Sequence, residues 1–219
     1  MTVKNSYGFV YGFHKAKGHT QYPSADSFAR MLIDLNKCVA PKLYVMDGIV
    51  AMEGNGPGSG DPVPMNVLLM STDPVALDSV FSRLVYLKPE MVPTNYHGEK
   101  MGLGTWKEEE ITLLTPDGEI SMAEAVKKYG NPAFNVDRTE VRKNIWTRMA
   151  GALNIFQKKP YIEADKCVRC GICVQSCPVP GKAVDFRKGK GKPPVYDYRK
   201  CIRCFCCQEM CPKKAIKVK

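Results

Sequence analysis

At 219 residues the chain has room for one or two domains, and a hydrophobic fraction of 44% is enough to bury a core. No apolar run reaches the roughly 18 residues of a membrane-crossing helix, and the N-terminus lacks a secretory signal, so a cytoplasmic protein with no membrane span is expected. The net charge of +10 is lopsided: residues 151–219 hold 16 Lys and Arg against 5 Asp and Glu, while residues 1–150 hold 16 against 17.

Residues 1–23, rich in Gly, Tyr and Lys, read as a loop with one short strand at Gly8–Tyr11; His14 and His19 fall here. Ser24 suits a helix N-cap, and Phe28, Leu32, Leu35 and Val39 recur at helical spacing over Ala25–Val39. Cys38 on that helix reads as a small buried hydrophobe. Lys42–Met46 and Val67–Ser71 are short apolar runs that predict buried strands. Asp47 and a Gly-rich loop, Gly54–Pro62, follow the first of them. Asp73 as N-cap and Pro74 at the first helical position open a helix whose core face is Val75, Leu77, Val80, Phe81, Leu84 and Val85. Helix, strand, loop, strand, helix with continuously apolar strands predicts an α/β domain built on a partial, mostly parallel sheet.

In such sheets ligands bind beyond the carboxyl ends of the strands. Asp47, the Gly-rich loop and Ser71–Asp73 are expected at those ends. His14, His19, Asp47, Glu53 and Asp73 could form a hard-metal or acid–base cluster there, and His19 and Asp47 are the candidate catalytic groups. Asp73 has the simpler role of helix cap. The loop is not a phosphate cradle: no Gly-Lys-Ser/Thr follows it, and it lacks the third glycine of a dinucleotide fingerprint.

Beyond this come a short helix at Asn95–Met101, a strand at Ile111–Leu114 and a turn at Pro116-Asp117-Gly118. A helix at Ser121–Tyr129 is signalled by a Ser121–Glu124 capping box and by Gly130 at its end. Val141, Ile145, Met149 and Leu153 predict a helix over Asp137–Phe156, with a basic face that includes Arg138. The organisation is therefore an α/β domain over 1–136, a helical linker over 137–159 and a small α+β domain over 160–219.

The last domain carries the clearest chemistry. Nine of the ten cysteines lie between Cys167 and Cys211. They form two runs of C-x2-C-x2-C-x3-C-P, Cys167-Cys170-Cys173-Cys177-Pro178 and Cys201-Cys204-Cys207-Cys211-Pro212, flanked by matching segments that mark an internal repeat. Soft thiolates at this spacing wrap three corners of a [4Fe–4S] cube, and the fourth Cys serves the other cube. The expectation is two [4Fe–4S] clusters. Cluster I would be held by Cys167, Cys170, Cys173 and Cys211, and cluster II by Cys201, Cys204, Cys207 and Cys177. Zinc is the alternative, but zinc sites show two separated Cys pairs instead of three-plus-one runs. Disulfides are disfavoured in a reducing, anaerobic compartment. Cys206, the extra cysteine, aligns with Ile172 and reads as a packed thiol, or as a redox or alternative ligand.

These runs resemble bacterial-type two-cluster ferredoxins over residues 160–219. Upstream, Gly12-Phe-His-Lys15 with His19, Met46-Asp47-Gly48, Met52-Glu53-Gly54-Asn55-Gly56-Pro57 and Ser71-Thr-Asp73-Pro-Val-Ala-Leu-Asp78 resemble an uncharacterised prokaryotic iron–sulfur family, domain-of-unknown-function family 362, over about residues 1–135. That family generally carries a further N-terminal portion of the α/β domain, missing here. The resemblance implies iron–sulfur clusters and no particular reaction.

Three functions follow as expectations: an electron carrier, an oxidoreductase whose α/β domain binds the substrate, and a redox sensor or binding domain with structural clusters. Two clusters contribute about −4 to the tail and leave it near about +7. An acidic redox partner protein is therefore expected ahead of nucleic acid, for which aromatic interleaving is sparse.

Overall fold

A computed structural model of the protein describes residues 2–11, 14–22, 24–55, 59–139, 159–187 and 189–218. The chain divides into two compact units: Met1–Lys15, Ser24–Gly54 and Asp61–Arg138 form one, and Ala16–Pro23, Asn55–Gly60 and Thr139–Lys219 the other. Most of the expected linker, residues 140–158, lies outside the described residues, and with it the Val141–Leu153 periodicity.

The first unit is built on helices α1 (Thr2–Asn5), α3 (Ala25–Val39), α4 (Pro74–Leu84), α5 (Pro93–Lys100) and α6 (Met122–Tyr129); α2 (His14–Gln21) precedes α3 in the chain. Residues 1–23 are therefore not a loop with a strand at Gly8–Tyr11. They form α1, a 3-10 turn at Ser6–Phe9, and α2. The cause is tertiary. Val3 and Tyr7 pack with Leu32, Ile33 and Val75 in one core cluster, and the Thr2 and Val3 amides donate to the buried Asp78 carboxylate.

Local capping sets the other boundaries. Ser24 Oγ accepts from Ser27 N at 3.1 Å at the start of α3, and Asp73 Oδ1 accepts from Val75 N and Ala76 N at 2.7 and 2.9 Å at the start of α4. Ser121 Oγ accepts from Glu124 N while Glu124 Oε2 accepts from Ser121 N, closing the box that opens α6. The buried side of α3 is Ala29, Leu32, Ile33 and Asn36; Val39 and Cys38 face solvent, so Cys38 is not the buried hydrophobe expected.

The expected parallel strands are replaced by a hairpin. Strands β1 (Tyr44–Asn55) and β2 (Ser59–Ser71) pair with each other, and the three residues between them in sequence are far too few for a parallel crossover. β1 takes in Gly54 and Asn55 and β2 begins at Ser59, so both described ends of the segment read as a Gly-rich loop are strand; residues 56–58 lie outside the described residues. In β2, Met65 and Val67 face the core while Leu68 and Met70 stay 58% and 63% exposed, the period of a one-sided antiparallel sheet. The apolar run Val67–Ser71 concealed this alternation. Gly48 permits the close packing beneath: a Cβ there would sit 2.8 Å from Val67 Cγ2. A core of Met65, Val67, Leu84, Val85 and Phe134 joins the hairpin to α4.

Strand β3 (Leu113–Thr115) pairs antiparallel with β4 (Gly118–Ile120). A mostly parallel sheet is therefore absent among the described residues; helices with small antiparallel sheets take its place.

In the second unit, β5 (Pro160–Ile162), α7 (Ile172–Gln175) and β6 (Val184–Asp185) make one half, and β7 (Val195–Tyr196), α8 (Cys206–Glu209) and β8 (Ile216–Val218) the other. Each half pairs its strands with the other. β5 runs antiparallel to β8 with Tyr161 opposite Lys217, and β6 runs antiparallel to β7 with Val184 opposite Tyr196. The core of this unit is small and rich in sulfur: Cys173, Cys177 and Cys207 with Ala183, Val184 and Ile216.

Candidate metal centre

Each cysteine run is bent by residues in the left-handed region. Arg169 and Gly171 do this in the first run, and Arg203 and Phe205 at the equivalent places in the second. The reversals bring cysteines three apart round a common centre. The short helices α7 and α8 then carry Cys173 and Cys207, and Cys177 and Cys211 lie just beyond their ends.

Two cavities result. One is lined by Cys167, Cys170, Cys173 and Cys211 and covered by Ile162 and Ile172. The other is lined by Cys177, Cys201, Cys204 and Cys207 and covered by Ile202 and Phe205. In each, three thiols come from one run and the fourth from the other. Cys206 lies beside the second cavity without lining it, and its thiol hydrogen-bonds with that of Cys204.

The donor chemistry fits iron–sulfur clusters: eight thiols with apolar cover. Among the described residues no group of three or more His, Cys, Asp or Glu side chains is already placed to hold a metal ion. Ala183 N donates to Cys177 Sγ and Ala215 N to Cys211 Sγ, both at 3.3 Å. Tyr196 Oη lies 3.1 Å from Cys207 Sγ.

Burial pushes the Cys173 thiol up to about 11 and the Cys207 thiol up to about 12, and it raises Cys201 as well. Cys204 is instead held down at about 7, chiefly by the hydrogen bond from Cys206, whose own thiol is pushed far above its ordinary value by the same bond. Metal binding at the raised thiols must therefore release protons.

An open groove lined by Tyr161, Ile162, Lys192, Pro194, Tyr196 and Tyr198 borders both cavities, sharing Ile162 and Pro194 with the first and Tyr196 with the second. Tyr196 and Tyr198 stack with centroids 5.7 Å apart, and Lys159 Nζ lies 5.7 Å from the Tyr198 ring centroid. Tyr196 lines both the groove and the second cavity. Sequence reading missed it, although aligning the two runs sets Tyr196 against Ile162, an exchange of apolar for polar that signals a difference between the halves.

The upstream candidates are split: Asp47, Glu53 and Asp73 lie in the first unit and His19 in the other. Asp47 lies within β1, not at its carboxyl end; it is exposed and accepts from Ile49 N at 3.0 Å. Glu53 accepts from Asn135 N at 2.8 Å. Asp73 is committed on both oxygens, since Oδ2 also takes Thr105 N at 2.9 Å. His19 is half-buried on α2.

A family model described as a domain of unknown function (DUF362) matches residues 1–83, and a 4Fe-4S dicluster domain model matches residues 159–212. The thylakoid-associated protein sll1697 of Synechocystis sp. is 42% identical over 104 residues, which cover 47% of this chain and 32% of that protein. The chain thus matches about a third of the length of that relative. No solved structure matches.

Proposed function

We propose that the protein is an electron carrier with two [4Fe–4S] clusters. Cys167, Cys170, Cys173 and Cys211 hold one, and Cys201, Cys204, Cys207 and Cys177 hold the other. The observation that carries this reading is the lining of the two cavities, four thiols each with one contributed by the opposite run. Each cluster, when bound, accepts and gives one electron at a potential set by its surroundings. The chain supplies the thiolates, the apolar cover that keeps water off them, and the hydrogen bonds that tune them.

Crossed ligation keeps the two sites adjacent, so an electron entering at one can leave by the other. The basic tail, 16 Lys and Arg against 5 Asp and Glu over 151–219, suits an acidic partner protein. In the reading that makes the protein an oxidoreductase, Asp47 stays a candidate in the first unit and His19 a candidate in the other, each taken by itself.

Anaerobic reconstitution is expected to load about eight irons per chain, with broad absorbance near about 400 nm. Cys211→Ala is expected to remove about half of that iron from the site ringed by the first run. A colourless zinc-loaded protein overturns the proposal, as does a Cys211→Ala variant that empties only the site ringed by the second run.

A further inference from the structure

The two cavities are ringed by equivalent cysteines but not by equivalent neighbours. Tyr196 Oη lies 3.1 Å from Cys207 Sγ, and a metal-bound thiolate has no proton to give, so in the loaded protein the phenol is the donor. The Cys206 thiol makes a second contact of the same kind with Cys204. At the positions equivalent to these two, five residues before the first cysteine and five after it, the other half carries Ile162 and Ile172. Both line the first cavity and neither has a hydrogen to donate. The amides of Ala183 and Ala215, by contrast, serve one cysteine of each set at the same 3.3 Å and make no distinction between them.

Hydrogen bonds to the ligating sulfurs withdraw electron density and favour the reduced cluster, which carries one more negative charge. We infer that Tyr196, supported by Cys206, raises the potential of the site formed by Cys201, Cys204, Cys207 and Cys177 above that of its twin, and so makes it the resting place of the first electron. An electron given to the module by an external one-electron donor then settles at the second site, while the first site returns to its oxidised state. Tyr196 acts through Cys207 and is a tuning residue. The inference rests on the two-cluster reading above.

Potentiometric titration of the reconstituted protein, followed by electron paramagnetic resonance, tests it. Tyr196→Phe is expected to hold the same iron and to lower one midpoint only, by about a tenfold change in a one-electron equilibrium, about 59 mV. Cys206→Ala is expected to lower the same midpoint. Tyr198→Phe is the control: its hydroxyl donates to Pro160 O, not to a cysteine, and both midpoints are expected to stay. If Tyr196→Phe keeps full iron and leaves both midpoints in place, or moves both equally, the inference is wrong and the two-cluster reading stands. If the unaltered protein binds only one cluster or none, the two-cluster reading fails first. Should Tyr196→Phe lose iron, the reduced unaltered protein decides. An exchangeable proton coupled to one cluster only, in addition to the amide protons from Ala183 and Ala215 that serve both sets, and lost in heavy water, supports the hydrogen bond; equal sets of exchangeable protons at the two clusters overturn it.

Discussion

Asn36 shows how much of this fold hangs on single polar side chains. It is fully buried on α3, donates to Val3 O and Leu32 O, and accepts from Ser6 Oγ at 2.8 Å and Tyr44 Oη at 3.3 Å. It ties the N-terminal turns and β1 to one helix. Asn36→Ala strands four partners in a dry core, and chemical denaturation is expected to show a loss of about 2–4 kcal/mol. Glu99 offers a pH test. Its carboxyl sits below the ordinary value of 4.5, first because Lys107 donates to it and also through Trp106 N and Thr105. A carboxylate lowered on folding stabilises above its unfolded pKa, and that contribution goes as pH falls through the folded one. Glu99→Gln is therefore expected to melt below the unaltered protein at pH 7, with the gap closing as the pH drops beneath about 4.5. At this scale the sequence was most informative where chemistry is local. The cysteine spacing and the caps Ser24, Asp73 and Ser121 could be read directly, while Asn36, Asp78 and Tyr196 take their meaning from partners far along the chain.

Among the elements, α3, α4 and α6 were legible because caps and apolar spacing both lie within the helix. The hairpin was not. Asp61, Pro62 and Pro64 look like breakers, yet they lie in a long strand whose pairing, not propensity, holds them extended, while Gly54 near the end of β1 takes a left-handed φ of 69°. Arg138, read as part of a solvated basic face, donates to Val85 O at 2.8 Å and Phe134 O at 2.7 Å near the C-terminal end of α4. The outer face of the hairpin carries Val45, Val50, Leu68 and Met70, all more than half exposed. Replacing Leu68 and Met70 by Lys removes no buried contact. The melting temperature is expected to stay within the shift that about 0.5 kcal/mol per site produces, and light scattering to show less self-association.

For the whole molecule, the two units have separate apolar cores of different composition. The second core consists largely of thiols, so its cohesion depends on whatever joins them. Chelation of the iron is expected to abolish amide protection in residues 160–218 and to leave the protection of α3 and α4 in place; hydrogen exchange read by mass spectrometry distinguishes this from a single cooperative loss. That nine of the ten cysteines crowd into residues 167–211 was plain from composition alone. That the upstream sheet is antiparallel was hidden, because a half-exposed strand of mostly apolar residues reads like a buried one.

The pairing of β5 with β8 has a further consequence. Pro160 lies opposite Val218, so the first and last strands of the cysteine-bearing segment are neighbours and its two ends meet. A segment closed in this way can be spliced into the surface loop of another protein, or cut and rejoined elsewhere, without pulling its ends apart.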